Sequence, residues 1–146
     1  MALLTLGNFS VDLLDMLGQG GFGVVYGGKN TRTSKKVAIK KIQFESEDDG
    51  YASMQEIKHF ERLPKHKNLI RLLDFFYKDR AFWMVMDFCD SGDLDKYMKV
   101  KSLELGEKIR LMFQCASAIA HMHGATPPMI HRDIKPANIL MFKDSK

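Results

Sequence analysis

Glycines at positions 18, 20 and 23 stand in the run Gly18-Gln19-Gly20-Gly21-Phe22-Gly23-Val24-Val25. Glycines so spaced let a backbone approach phosphate oxygens without side-chain collision. A dinucleotide site with this spacing would open a helix at the last glycine and set the pyrophosphate on its N-terminus. Here Val24, Val25 and Tyr26 follow, and they favour a strand. A P-loop would need Gly-Lys followed by Ser or Thr, and Gly28-Lys29-Asn30 lacks the hydroxyl that would meet a metal. A strand, a glycine turn and a second strand is the arrangement that fits, and an ordinary glycine-rich hairpin has the same look. Lys40 ends the run Val37-Ala38-Ile39-Lys40. A lone lysine there is usually a solvated edge residue, so it gains meaning only beside an acidic partner. Far along the chain, His131-Arg132-Asp133-Ile134-Lys135-Pro136-Ala137-Asn138 gathers a carboxylate, an ammonium and a carboxamide within a few residues.

The glycine turn, the Val37–Lys40 run, a helix-like segment holding Glu56 and the His131–Asn138 run occur in the order and spacing of a phosphoryl-transfer template. From about Phe9 to Phe142 the chain resembles the protein kinase superfamily, in its serine/threonine-specific branch. The resemblance implies an α+β fold: a five-stranded N-lobe with one helix, helix C, and the first part of a helical C-lobe. Its expected bounds are 9–88 for the N-lobe, 89–92 for the hinge and 93–146 for the C-lobe part. The implied function is ATP-dependent transfer of the γ-phosphate to a Ser or Thr hydroxyl of a protein, with Mg2+ as cofactor. A non-catalytic nucleotide- or partner-binding module of kinase-like fold is the alternative.

The same resemblance assigns roles to residues. The backbone at Gly18, Gly20 and Gly23 would close over the triphosphate, and Lys40 would hold the α- and β-phosphates, positioned by a carboxylate on the neighbouring helix. Glu56 is that carboxylate in preference to Glu61, because Glu-Ile-x-x-Phe-x-x-Leu followed by His66 and Asn68-Leu69-Ile70 resembles helix C and the strand after it. Adenine would lie between Leu17, Val25 and Ala38 above and Leu140 below, with Met86 as gatekeeper. The backbone of Asp87 and Cys89 would bond its edge, and Asp93 would bind the ribose. Asp133 would accept the proton of the substrate hydroxyl, Lys135 would steady the γ-phosphate and Asn138 would ligate Mg2+. Lys135 is also the feature that marks the serine/threonine branch. His131 would join Phe60 and Leu72 in a hydrophobic spine, and Arg132 would pair with a phosphorylated residue of an activation segment.

Turn and periodicity signals place these residues on elements. Val11–Leu17 and Val24–Lys29 read as strands flanking the glycine turn, and Lys35–Ile42 as a third strand after the turn residues Asn30–Ser34. The polar run Glu45–Gly50 reads as a loop. Met54, Ile57, Phe60 and Leu63 recur at every third residue, predicting a helix over Tyr51–Leu63 stopped by Pro64. Leu69–Tyr77 and Ala81–Phe88 read as two further strands. Leu105, Ile109, Met112, Ala116, Ile119 and His123 put an apolar face along a long helix that Gly124 and Pro127-Pro128 stop. Ile139–Phe142 reads as a short strand.

At 146 residues and 45% hydrophobic content one domain with an ordinary core is expected. The net charge of +4 from 22 basic and 18 acidic residues is mild, and no basic run interleaved with aromatics suggests a nucleic-acid partner. Cys89 and Cys115 form no C-x-x-C and no paired spacing, which fits a reducing compartment. The start, Met1–Gly7, lacks the basic region of a signal peptide, and no stretch reaches the roughly 20 apolar residues of a membrane span. The expectation is a cytoplasmic protein without a membrane partner, with the nucleus left open.

After Phe142 come Lys143-Asp144-Ser145-Lys146. The family's Asp-Phe-Gly motif does not appear, and Asp144 sits too early and lacks the following Phe-Gly. The expectation is a partial catalytic domain that is inactive alone, with the face of the helix from Leu105 to His123 exposed where further helices would pack.

Overall fold

The computed structural model describes residues 2–21 and 23–143; Phe22 of the glycine turn and Asp144 lie outside the described residues. The chain divides into two units. One runs to Arg62 and resumes over Arg71–Phe88; the other takes in Leu63–Ile70 and the residues from Cys89 onward.

In the first unit, β1 (Leu3–Leu6), β2 (Phe9–Gly20), β3 (Gly23–Asn30), β4 (Lys36–Gln43), β5 (Leu72–Lys78) and β6 (Ala81–Asp87) form one sheet of order β1-β2-β3-β4-β6-β5. Every neighbouring pair is antiparallel. Strand β6 sits between β4 and β5, and its side chains alternate between two apolar faces. Ala81, Trp83 and Val85 join Leu6, Phe9, Val11, Val37 and Ile39 on one face. Phe82 and Met84 join Ile42 and Ile57 on the other. The period of two along β6 thus builds both halves of the core. Helix α1 (Glu47–Glu61) lies on the second face, anchored by the fully buried Ile57.

The sheet has six strands where five were expected, because Leu3–Leu6 pairs with Phe9–Asp12 across a turn at Gly7. Helix α1 begins earlier than expected and takes in most of the run read as a loop. Ser46 is its N-cap: Oγ accepts from the Asp49 N–H at 3.1 Å and donates to Asp49 Oδ2 at 2.6 Å. Glu47, Asp48 and Asp49 lie in the first turn, where carboxylates favour the positive end of the helix dipole. Strand β5 begins at Leu72, since the Leu69 N–H closes a turn on His66 O at 3.0 Å.

The second unit carries α2 (Leu94–Val100), α3 (Leu105–His123) and a single 3-10 turn at Pro136–Asn138. Asp93 caps α2, its Oδ1 accepting from Lys96 N–H at 2.8 Å. At the start of α3, the Glu107 carboxylate accepts the Glu104 N–H at 2.9 Å. His66 ties the 63–70 segment to α3: Nδ1 accepts the Asn68 N–H and Nε2 bonds Ser117 Oγ, both at 3.0 Å. The apolar stripe read along α3 is exposed at Leu105, Ile109 and Met112, while the residues that α3 buries, Ala118 and Met122, lie off that stripe. Ile139–Phe142 is not a strand. It makes one bridge, Leu140 opposite Asp93, flanked by bonds from Leu94 N–H to Ile139 O and from Met141 N–H to Gly92 O.

Candidate active site

Of the glycines in the turn, Gly23 is required by the fold itself. Its φ is +124°, and a Cβ there would collide with the Lys41 carbonyl. Gly18, Gly20 and Gly21 differ: a Cβ on any of them would meet nothing within 4 Å. Their backbone lies against space that the described residues do not fill, as a surface receiving phosphate oxygens requires.

The register gathers the neighbouring residues. Val25 is opposite Lys40, Gly18 is opposite Val25, and Ala38 is opposite Met86. Directly opposed residues share a face, as do residues two apart on a strand, so Val25, Ala38, Lys40 and Met86 project from one side of the sheet. That side carries α1. Lys40 Nζ donates to Glu56 Oε1 at 2.8 Å, whereas Glu61 is the last residue of the helix. With Lys40 only 19% exposed, the bond is partly shielded from solvent. Leu17 lies between the β2–β3 pairs of Met16 and Gly18, where the register shifts, and is 36% exposed. A cavity of about 630 Å³ between the turn and α1 reaches Gly20, Lys41, Ser53 and Glu56. Leu17, Val25, Ala38 and Lys40 are not among its lining residues, but Ile42 and Glu56, on the side of the sheet that carries α1, are.

Asp87 has a partner that no sequence motif announces. Its carboxylate is held bidentately by Arg71, Nε to Oδ2 at 2.9 Å and a terminal nitrogen to Oδ1 at 3.0 Å. The Arg71 N–H also donates to Oδ2 at 3.2 Å, and the Asp87 N–H donates to Arg71 O at 3.3 Å. Hydrogen bonding from Arg71, which outweighs the opposing effect of burial, holds the Asp87 carboxyl below its ordinary range. Arg and Asp sixteen residues apart, one before a strand and the other at the end of the next, leave no local pattern to read.

The other assigned residues lie in the second unit. Cys89 is half-buried, Leu140 is 42% exposed, and Asp93 and Leu140 meet in their bridge. Asp93 is also committed to its helix: besides accepting from Lys96 N–H, its other carboxylate oxygen lies 3.8 Å from Lys96 Nζ.

In the His131–Asn138 loop, Arg132 has a left-handed φ of +69°, a strained value of the kind found at functional sites. The 3-10 turn that Pro136 opens brings Asn138 back over Asp133. Asn138 Nδ2 donates to Asp133 O at 2.8 Å and to Oδ2 at 3.0 Å, while Lys135 Nζ lies 3.6 Å from Oδ1. Asp133 and Lys135 are each about half exposed, so this cluster faces solvent. The amide nitrogen of Asn138 is engaged by Asp133, which leaves its oxygen, the atom able to ligate a cation, as the outward group. No cluster of three His, Cys, Asp or Glu side chains able to hold a metal occurs among the described residues. A hard cation here would draw on the Asn138 side-chain oxygen. His131 is exposed and its Nδ1 accepts the Asp133 N–H at 3.2 Å, whereas Phe60 and Leu72 pack on the Ile57 cluster.

The profile of the protein kinase domain family matches residues 11–146. The chain belongs to the protein kinase family. Among curated relatives, this kinase domain is 30% identical to a probable serine/threonine-protein kinase of Dictyostelium discoideum, over 97% of this chain and 13% of that protein. It is 36% identical to the probable L-type lectin-domain containing receptor kinase V.3 of Arabidopsis thaliana, over 86% of this chain and 20% of the relative. Receptor kinase V.9 of the same type and organism is 34% identical over 87% of this chain and 19% of its own length. The kinase domain therefore spans 13% to 20% of the length of these relatives. Among the described residues no helix is long and apolar enough to cross a membrane.

Proposed function

We propose that this kinase domain serves ATP-dependent transfer of the γ-phosphate to a Ser or Thr hydroxyl of a protein. The observation that carries the reading is the Asp133 cluster, in which a carboxylate, a carboxamide and an ammonium converge on one exposed loop. Asp133 accepts the proton of the acceptor hydroxyl and turns its oxygen toward phosphorus, while Lys135 places positive charge beside the group in transfer. Asn138 would ligate Mg2+, which when bound neutralises charge on the phosphates.

In the first unit, Gly18 and Gly20 offer backbone to the triphosphate, Lys40 meets the α- and β-phosphates, and Glu56 keeps its ammonium from swinging away. Leu17, Val25, Ala38 and Met86 supply apolar surface for adenine, with Asp87 bonding its edge; the roles of Cys89, Asp93 and Leu140, in the second unit, are carried by the family resemblance alone. Lys135 and the serine/threonine-type relative favour a hydroxyl of Ser or Thr over that of Tyr. Cytoplasmic residence, with the nucleus left open, is part of this proposal; two cysteines without C-x-x-C spacing fit a reducing compartment.

The test is calorimetric titration with ATP and Mg2+, comparing the protein with its Lys40→Met variant. Saturable binding weakened at least about tenfold by the substitution is expected, the scale of one charge-assisted contact. Equal affinity in both, or no binding by the unsubstituted protein, contradicts the nucleotide reading.

A further inference from the structure

The two edges of the sheet are finished differently. Strand β5 forms one edge, and its main chain is guarded: the register shifts between Leu72 and Asp74, and Asp74 Oδ1 accepts the N–H of Phe75 at 2.8 Å. A bulge and a charged side chain folded onto the edge keep another strand from pairing there. Strand β1 forms the other edge and carries neither device. Its residues, Leu3-Leu4-Thr5-Leu6, hold no charge and no proline, and they pair with β2 without a shift of register. No charged side chain stands between Met1 and Val11. The Leu13 N–H bonds Ala2 O at 3.0 Å. Main-chain groups alternate along an antiparallel strand, so Ala2, Leu4 and Leu6 turn theirs toward β2, while Leu3 and Thr5 turn theirs outward. Both outward residues are exposed, and among the described residues no hydrogen bond is made to their main-chain groups. Leu4 and Leu6 pack on the buried cluster, which holds the strand in place. The match to the kinase family begins at residue 11, so β1 lies ahead of what that family accounts for.

We propose that β1 is a self-association edge, which pairs antiparallel with β1 of a second copy about a two-fold axis at Leu4. Leu3 of one copy then stands opposite Thr5 of the other, and each such pair exchanges both of its main-chain bonds. Leu4 meets its twin on the axis, at a position where side chains on paired strands come closest. Pairing a strand with its own copy brings each side chain near its twin, so a charge in it would meet its like. The β1 strand holds none, and a partner strand selected by charge finds nothing there to select. The sheet then runs on through both copies, with the guarded β5 at each outer edge. The edge is short, so the pairing is weak.

Sedimentation equilibrium from about 10 μM to 1 mM protein, the range a small interface requires, tests this together with amide hydrogen exchange read by NMR. A thiol reductant is kept present, because Cys89 and Cys115 are free. A reversible monomer–dimer equilibrium is expected, in which the Leu3 and Thr5 amides gain protection as concentration rises while those of Leu4 and Leu6 are protected throughout. Thr5→Pro removes an outward N–H without touching the bonds to β2, and Leu3→Lys sets like charges near the axis. Each should raise the dimer dissociation constant at least about tenfold, with circular dichroism and thermal unfolding unchanged. Association that both substitutions leave undiminished, with Leu3 and Thr5 exchanging at one rate at every concentration, would put the contact on another surface, such as the exposed residues of α3, and overturn the proposal. A monomer at every concentration would overturn it too, as would growth beyond the dimer that Thr5→Pro leaves intact. If either variant fails to fold, the exchange of Leu3 and Thr5 in the unsubstituted protein decides alone.

Discussion

Gly18 and Gly23 belong to one motif, yet the structure gives them different reasons to be glycine, and alanine at each separates the two. At Gly23 the φ of +124° lies where side chains are strained, at a cost of about 1–3 kcal/mol. The added methyl also meets the Lys41 carbonyl, on the strand that pairs with β3. Moving that carbonyl aside costs on the order of 1 kcal/mol for a weakened ladder bond. Gly23→Ala should therefore destabilise the protein by about 2–4 kcal/mol. Gly18 has no left-handed φ, and a methyl added there has no neighbour within 4 Å. Alanine at this position restricts the unfolded chain, which is worth about 0.4–1 kcal/mol in favour of folding. Gly18→Ala should thus keep or slightly raise stability while weakening ATP several-fold, because its methyl enters the space assigned to phosphate. Urea unfolding read by circular dichroism gives the stability, and calorimetry gives the affinity. Equal destabilisation by both substitutions, or unchanged ATP affinity in Gly18→Ala, would refute the division of roles.

Ile57→Ala removes a fully buried side chain from the cluster that seats α1 on the sheet, and should cost about 2–5 kcal/mol in urea unfolding; a loss below about 1 kcal/mol would mean the helix is held some other way. The Asp87 carboxyl is depressed in the folded protein by Arg71, so the pair stabilises above the ordinary carboxylate value and that contribution is lost as pH falls through the depressed one. The stability gap between the protein and Asp87→Asn should then begin to shrink below about pH 4. A gap that stays constant, or widens toward acid, would show that Arg71 does not act on Asp87 through charge.

Period-two and helical patterns are local, and they locate most elements. The strand holding Val37 and Ile39 and the helix around Ile57 are legible because burial on one face repeats along the chain, and the strand from Ala81, buried on both faces, as a continuous apolar run. The pairing of Lys40 with Glu56 spans sixteen residues, and the family resemblance rather than any spacing rule favours Glu56 over Glu61. Leu3–Leu6 is not legible, since four apolar-rich residues become a strand only through their partner, Phe9–Asp12. The acidic run before Gly50 has the polar composition of a loop; its N-cap at Ser46 and the placement of carboxylates in the first turn make it a helix. Ile139–Phe142 has the composition of a strand but pairs only with the short stretch from Ser91 to Leu94, so one bridge forms. The Arg71 clamp on Asp87 is invisible in sequence because neither residue's pairing belongs to a motif and their meeting depends on β5 lying beside β6.

The central claim, transfer of a phosphoryl group through Asp133, is tested by substituting that residue alone. Asp133→Asn keeps the shape of the side chain and an acceptor for Asn138, but removes the carboxylate that takes the hydroxyl proton. Incorporation of radiolabelled γ-phosphate into Ser and Thr of a protein acceptor, assayed with the full-length protein and Mg2+, should fall by about 10²–10⁴-fold in the variant while ATP affinity stays within a factor of about two. Undiminished transfer by Asp133→Asn, or no transfer by the unsubstituted full-length protein despite normal ATP binding, would contradict the account.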